Sequence, residues 1–183
     1  MRNDYNVYVS FSGGQDSTVL ADMTARVCKV YGWKLVLVFC NTGLEHPKIV
    51  SFVPKFVEWL KIQYEGLDVE LKIIRPRMSF KEVIEQHGYP VIGKDISSCV
   101  KYYRKGSQWA INNFKGLDKD GNLHTYKQGM YPQWKFLTDA PFKISDACCS
   151  ILKEEPFEIY EKETGRLPIL GLYFWCATGR LPE

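Results

Sequence analysis

Apolar and polar positions change period along the first half of the chain. Tyr5–Phe11 is a short run of β-branched and aromatic residues, which predicts a strand. Residues 16–31 follow with Val19, Leu20, Met23, Val27 and Val30 at helical spacing, which predicts a helix. Lys34–Cys40 is a nearly continuous apolar run, as expected of a parallel strand covered on both faces. Pro47 suits the first position of a second helix, which runs to about Gln63 with Val50, Val53, Phe56, Val57 and Leu60 on one side. Val69–Ile74 predicts a third strand, ending at Arg75-Pro76. Strand, helix, strand, helix, strand implies a parallel sheet with right-handed crossovers.

The second half is less regular. Ser79 caps a short helix through Gln86, closed by Gly88 and Pro90. Residues 95–114 predict one further helix, and 116–134 a loop or hairpin around Leu-Asp-Lys-Asp-Gly-Asn-Leu. Asp118, Asp120 and Asn122 have the spacing of a calcium loop, but Leu123 stands where that loop needs Gly. Ser145 and Asp146 can cap a helix over 146–153. Another helix starts near Pro156 and ends at Gly165, and 167–172 predicts a last strand.

Length and composition place these elements in one domain over 1–183, with a basic, aromatic-rich insertion or helical segment at about 94–135 and an apolar tail at 170–183. At 45% hydrophobic and 25% charged, the sequence is neither disordered nor collagen-like. The longest nearly apolar stretch, 167–177, is too short to span a bilayer. Residues 1–10 lack the apolar core of a secretory signal, so a cytoplasmic location is expected. Six Cys in such a chain read as thiols, metal ligands or core residues before disulfides.

Charge adds a candidate surface. Residues 94–135 hold eight Lys or Arg against Asp95, Asp118 and Asp120, interleaved with seven aromatics. Together these could hold a polyanion such as a nucleic acid. The competing reading is a solvated helix face followed by a polar insertion.

The chemistry concentrates in Ser12-Gly13-Gly14-Gln15-Asp16-Ser17, between the first strand and the first helix. A loop at the C-terminal end of a parallel strand faces the crevice where such sheets bind ligands. Two Gly let the backbone turn sharply and approach a ligand, and the amides of the helix start form an anion nest. Ser12, Ser17 and Thr18 add hydroxyls. Asp16 can cap the helix or hold a magnesium ion that bridges phosphates. No Gly-Lys-Ser/Thr is present, so this is not a Walker loop.

Ser-Gly-Gly-Gln-Asp-Ser resembles the PP-loop of the adenine-nucleotide alpha-hydrolase superfamily. Asn-Thr-Gly-Leu-Glu-His-Pro at 41–47 resembles the segment after the second strand of phosphoadenylylsulfate (PAPS) reductases. Ala-Cys-Cys-Ser-Ile-Leu-Lys-Glu-Glu-Pro at 147–156 resembles the Cys-Cys, Lys and Pro of the adenylylsulfate branch. The resemblance implies an α/β three-layer sandwich with a mostly parallel, Rossmann-like central sheet. It implies that Ser12–Ser17 cradle phosphate or sulfate and that Phe39 and Cys40 receive adenine. Asn41, Thr42, Gly43 and Glu45 would lie beside the ribose and phosphates, and Arg75 would be an anion partner. The implied ligand is ATP or a PAPS-like adenine nucleotide. The implied activity is sulfur transfer, reduction or nucleotidyl transfer, with Asp16, Cys148, Cys149 and Lys153 as candidate catalytic residues. A catalytically inactive nucleotide-binding module for nucleic acid or protein is the alternative, and a homodimer or partner chain is a third possibility.

The sequence departs from that family in places. It contains neither Glu-Cys-Gly-Leu-His nor Cys-x-x-Cys, and Gly171-Leu-Tyr-Phe-Trp-Cys176 stands where relatives carry a polar Glu-Ser stretch. A cluster from Cys99, Cys148, Cys149 and Cys176 would have the right ligand count without supporting spacing, so no iron–sulfur cluster is expected. Lys153 could instead lower a thiol pKa at Cys148 or Cys149, while Cys28 and Cys40 read as core.

Overall fold

A computed structural model describes residues 5–126 and 131–171. The chain divides into two compact units: Met1–Pro76 with Pro156–Glu183, and Arg77–Glu155.

The first unit is built on four parallel strands in the order β3-β2-β1-β4. These are β1 (Val7–Ser10), β2 (Leu35–Cys40), β3 (Val69–Ile74) and β4 (Leu167–Ile169). β1 lies between β2 and β4, with Val9 opposite Leu37 on one side and Ile169 on the other. The parallel sheet is therefore as the sequence reads, with β1 shorter at both ends than Tyr5–Phe11. β2 is buried along Leu35–Phe39, as its unbroken apolar run requires.

The sheet's two faces carry separate apolar clusters, which makes three layers. Val9, Phe11, Leu35, Leu37 and Phe39 pack under α1 (Gln15–Tyr31) and α2 (Pro47–Gln63). Tyr8, Val36 and Val38 on the other face pack with Tyr160 and Phe157 of the last helix, Glu155–Thr164. The Tyr8 hydroxyl donates to Glu161 at 2.6 Å, and burial together with that carboxylate pushes its pKa up.

α1 differs from expectation in which face it buries. Of the five positions whose spacing predicts the helix, Val19, Met23, Val27 and Val30 stay exposed, and Leu20 is half-buried against the core. Ser17, Ala21, Ala25 and Cys28 are buried instead. Small side chains let the helix axis lie close to the sheet. On α2, Val53, Phe56, Val57 and Leu60 are buried as expected, and Val50 is exposed. Pro47 opens this helix, and the His46 ring accepts from the Lys48 amide at 3.2 Å.

The second unit contains α3 (Phe80–His87), α4 (Lys94–Tyr103), α5 (Gln108–Phe114) and a 3-10 helix over Pro132–Asp139. Ser79 and Glu82 form a reciprocal capping box at α3. The single helix expected over 95–114 is instead two, because Gly106 turns left-handed (φ +75°) and Ser107 starts the next helix. Ile96, Cys99, Val100, Ala110, Phe114, Leu137 and Ile144 form this unit's core. Ile92 holds φ +62°, and the buried Ser97 hydroxyl grips the Val91 N–H and C=O beside it. The stretch expected to be one helix over 146–153 is a helical turn, Ala147–Cys149, followed by a π-helical segment, Ser150–Glu154, that leads into the last helix, α6 (Glu155–Thr164). Among the described residues no helix is long and apolar enough to cross a membrane.

Candidate functional site

Ser12–Ser17 turns at the C-terminal edge of the sheet, between β1 and α1. Gly13 has φ +72°, a conformation that side chains with a Cβ rarely adopt. A Cβ there would stand 3.0 Å from Ile49 Cγ2 and 3.3 Å from Val53 Cγ2, so this turn is pressed onto α2. Gly14 is different. It is extended (φ −80°), and a Cβ there would meet only Ser12 Oγ at 3.3 Å.

Gly14 is also the N-cap of α1, and no side chain caps that end. First-turn amides have no partner within a helix, so Gln15, Asp16 and Ser17 start a 17-residue helix without a capping side chain. A cavity of about 250 Å³ opens there, lined by Ser10, Ser12, Gly14, Gln15, Asp16, Ser17, Leu170 and Gly171. The hydroxyls expected to serve a ligand are turned into the loop. Ser17 Oγ and Thr18 Oγ1 donate to the Gly14 carbonyl at 3.0 and 2.8 Å. Ser12 Oγ lies 3.0 Å from Ser17 Oγ and accepts from the Gly14 amide at 3.3 Å. The hydroxyls thus fix the loop's shape, and the exposed Asp16 is among the residues that line the cavity.

The 41–46 loop leaves the same sheet edge after Phe39 and Cys40, and the Asn41 amide donates to the Ile74 carbonyl. Thr42 Oγ1 donates to Glu45 Oε1 at 2.7 Å, and the Gly43 amide donates to Glu45 Oε2 at 3.1 Å and to Asn41 Oδ1 at 3.0 Å. Partial burial alone would raise the Glu45 pKa. The Thr42 hydroxyl and the amides around it outweigh that and hold the carboxyl below its ordinary value. Gly43 is left-handed (φ +83°) and its Cα faces open space. Phe39 is buried and Cys40 half-buried, and Arg75, the residue after β3, is exposed at this edge.

Cys148, Cys149 and Lys153 belong to the second unit. Cys148 and Cys149 are half-buried thiols at the head of the π-helical segment. Burial and the neighbouring Cys149 push the Cys148 pKa up, whereas the sequence expected Lys153 to pull a thiol down. Lys153 is exposed, and Lys94 pairs with Glu154 at 3.4 Å; that carboxylate, with Cys149 nearby, pushes the Lys94 pKa up. Cys99 is buried in the core. Among the described residues no group of three or more His, Cys, Asp or Glu is arranged to hold a metal ion. Cys176 and most of the 170–183 tail lie outside them, as does Lys127 of the basic segment.

Sequence reasoning missed what the basic segment does. Arg104 donates to four backbone carbonyls that close the 3-10 helix: Leu137, Thr138, Ala140 and Phe142, at 2.7–3.1 Å. Lys101 binds Asp146 at 3.0 Å. Burial would raise the Asp146 pKa, but the Lys101 bond holds it below its ordinary value. Two of the cations that could meet a polyanion are therefore spent on the unit's own fold.

A family model described as phosphoadenosine phosphosulfate reductase domain matches residues 6–105. The chain is 31% identical over 96 residues to the uncharacterized protein MJ0973 of Methanocaldococcus jannaschii. That stretch covers 52% of this chain and 20% of the relative, so the chain spans about a fifth of that protein. No solved structure matches.

Proposed function

This chain belongs to the phosphoadenosine phosphosulfate reductase domain family, and on that premise we propose that Ser12–Thr18 holds the phosphate or sulfate end of an adenine nucleotide. The observation that carries this is the uncapped start of α1. Gly14 contributes no capping side chain, and the first-turn amides open on a cavity at the sheet's C-terminal edge. Amides and helix dipole together favour an anion there. Phe39 and Cys40 would border the adenine, with Asn41–Glu45 beside the ribose. Asn41, Thr42 and Gly43 are already tied to one another and to Glu45, so the loop needs little ordering on binding. Arg75 adds positive charge at the same edge.

Asp16 would hold a magnesium ion that offsets phosphate charge, since a carboxylate beside phosphates is otherwise unfavourable. The reaction class is group transfer from the nucleotide. In the ATP form an acceptor attacks the α-phosphate and pyrophosphate leaves. In the PAPS form a thiolate sulfur bonds to the sulfonyl sulfur, the S–O bond to phosphate breaks, and the nucleotide leaves with both electrons of that bond.

Calorimetry on the full chain tests the reading with ATP, PAPS and adenylylsulfate, each with and without magnesium. Binding of at least one adenine nucleotide is expected, lost in Gly14→Val, and dependent on magnesium through Asp16. Affinity for none of the three, or equal affinity in Gly14→Val, overturns it.

A further inference from the structure

Among the described residues, β3 (Val69–Ile74) has a strand on one side only. The Leu35 amide donates to the Asp68 carbonyl and the Asn41 amide to the Ile74 carbonyl, both at 2.9 Å, so the even-numbered residues of this strand aim their backbone groups at β2. Those groups alternate in direction along a strand, and Val69, Leu71 and Ile73 therefore turn theirs outward. No hydrogen bond from a described residue reaches them. An unpaired edge of this kind is a template for another strand. The opposite edge is guarded: β4 is three residues long and Pro168 in it has no N–H. β3 is six residues long and contains no Pro.

The side chains decide which strand fits. Glu70 and Lys72 lie on one face of the sheet, beside Val36 and Val38, and Val69, Leu71 and Ile73 lie on the other, beside Leu35, Leu37 and Phe39. Lys72 is exposed, and Ile73 is 49% exposed at the rim of the apolar cluster. A second β3 running antiparallel can use the outward groups only where Val69, Leu71 and Ile73 meet one another across the axis. A register centred on Glu70 or on Lys72 sets like charges directly opposite, which is unfavourable. The register centred on Leu71 sets Glu70 opposite Lys72 of the second copy and Lys72 opposite its Glu70. Leu71 then faces Leu71, and Val69 faces Ile73. The strand is thus complementary to itself in charge and in apolar content. We propose that this chain self-associates through β3 in that register, about a twofold axis that joins two sheets into one. Such a contact closes on itself and ends at a dimer. It does not depend on what the loop cavity binds.

Sedimentation equilibrium on the full chain tests it, and a doubled mass is expected for the parent. Lys72→Glu sets like charges opposite each other at two places in the dimer and is expected to weaken association about tenfold. Glu70→Lys is expected to do the same from the other side. An equimolar mixture of the two variants restores opposite charges at both places and is expected to associate as tightly as the parent, which damage to either fold would not produce. Glu70→Lys also gives up the pair with Lys34, so Ile73→Pro supplies a second check. It deletes an outward N–H, spares the bonds to β2, and is expected to be monomeric with the circular dichroism of the parent. A single-chain mass at millimolar concentration overturns the proposal, as does a dimer that Lys72→Glu and Ile73→Pro leave intact. A mixture of the two charge variants, both folded, that associates no more tightly than its components also overturns it.

Discussion

The two glycines of the loop are predicted to fail in different ways when changed. Gly13→Ala forces a Cβ into a left-handed conformation, which costs about 1–2 kcal/mol. That Cβ also lands 3.0 Å from Ile49 Cγ2 and 3.3 Å from Val53 Cγ2, on a helix whose Val53 is fully buried and has nowhere to move. Overpacking of this kind adds about 1–3 kcal/mol, so a total loss of about 2–5 kcal/mol is expected. Gly14→Ala meets only the movable Ser12 hydroxyl at 3.3 Å, in a backbone conformation open to any residue. The stiffer unfolded chain offsets the weaker N-cap to within about 0.5 kcal/mol. Urea titrations of both variants, followed by circular dichroism, separate the two. Calorimetry with adenine nucleotide then distinguishes a loop that is misfolded from one that is merely filled. Gly13→Ala as stable as the parent, or Gly14→Ala that unfolds, would refute the division of labour between them.

Three further outcomes follow from named contacts. Arg104→Met removes four charge-assisted bonds to carbonyls and should cost about 2–3 kcal/mol by urea titration, against about 0.5 or less for Lys105→Met; a melt unchanged in Arg104→Met, with weakened nucleic-acid binding, would restore Arg104 to a polyanion surface. Ile92→Gly should stabilise by about 1 kcal/mol, because a β-branched residue leaves a left-handed conformation; a lower melting temperature would show that the Ile92 side chain contributes more than its backbone strain costs. Glu45 has a depressed folded pKa, so its hold on the 41–46 loop is complete above the ordinary carboxylate value and is lost as pH falls through the lowered folded value. The protection of the Gly43 amide, its exchange rate by NMR compared with the intrinsic rate at each pH, should fall across that window in the parent and be already low at neutral pH in Glu45→Gln.

Much of the first unit is legible from residue pattern alone. β2 is an unbroken apolar run, α2 opens at Pro47, and the loop between β1 and α1 announces itself by its two glycines. The face that α1 buries is not legible, because a hydrophobic pattern ranks Val, Leu and Met above Ala and Ser, whereas the sheet admits the smaller side chains. The roles of Ser17 and Thr18 are invisible for another reason. A hydroxyl at a helix start can point out to an anion or back to a carbonyl, and sequence does not say which. Arg104 is the clearest case in the second unit. Its four acceptors lie 33–38 positions away, and they are backbone atoms, which have no residue type to read. The break at Gly106 is legible in principle, since a glycine followed by serine can end one helix and start the next, but the helical spacing on either side conceals it.

The first unit is made of two separated stretches of chain, and this governs the order in which it can be completed. Arg166 Nη1 donates to the carbonyl of Val7, 159 positions earlier, and β4 then extends the sheet along β1. On the ribosome, β1, β2 and β3 emerge long before their fourth strand exists, so the β1 edge waits unpaired while the whole of Arg77–Glu155 is made. The intervening stretch carries its own core and can collapse meanwhile, which shortens the effective loop that β4 must close. A nascent chain stalled before Leu167 would thus present an open strand beside a finished neighbour, and this is the stage at which synthesis of this protein should depend most on a chaperone.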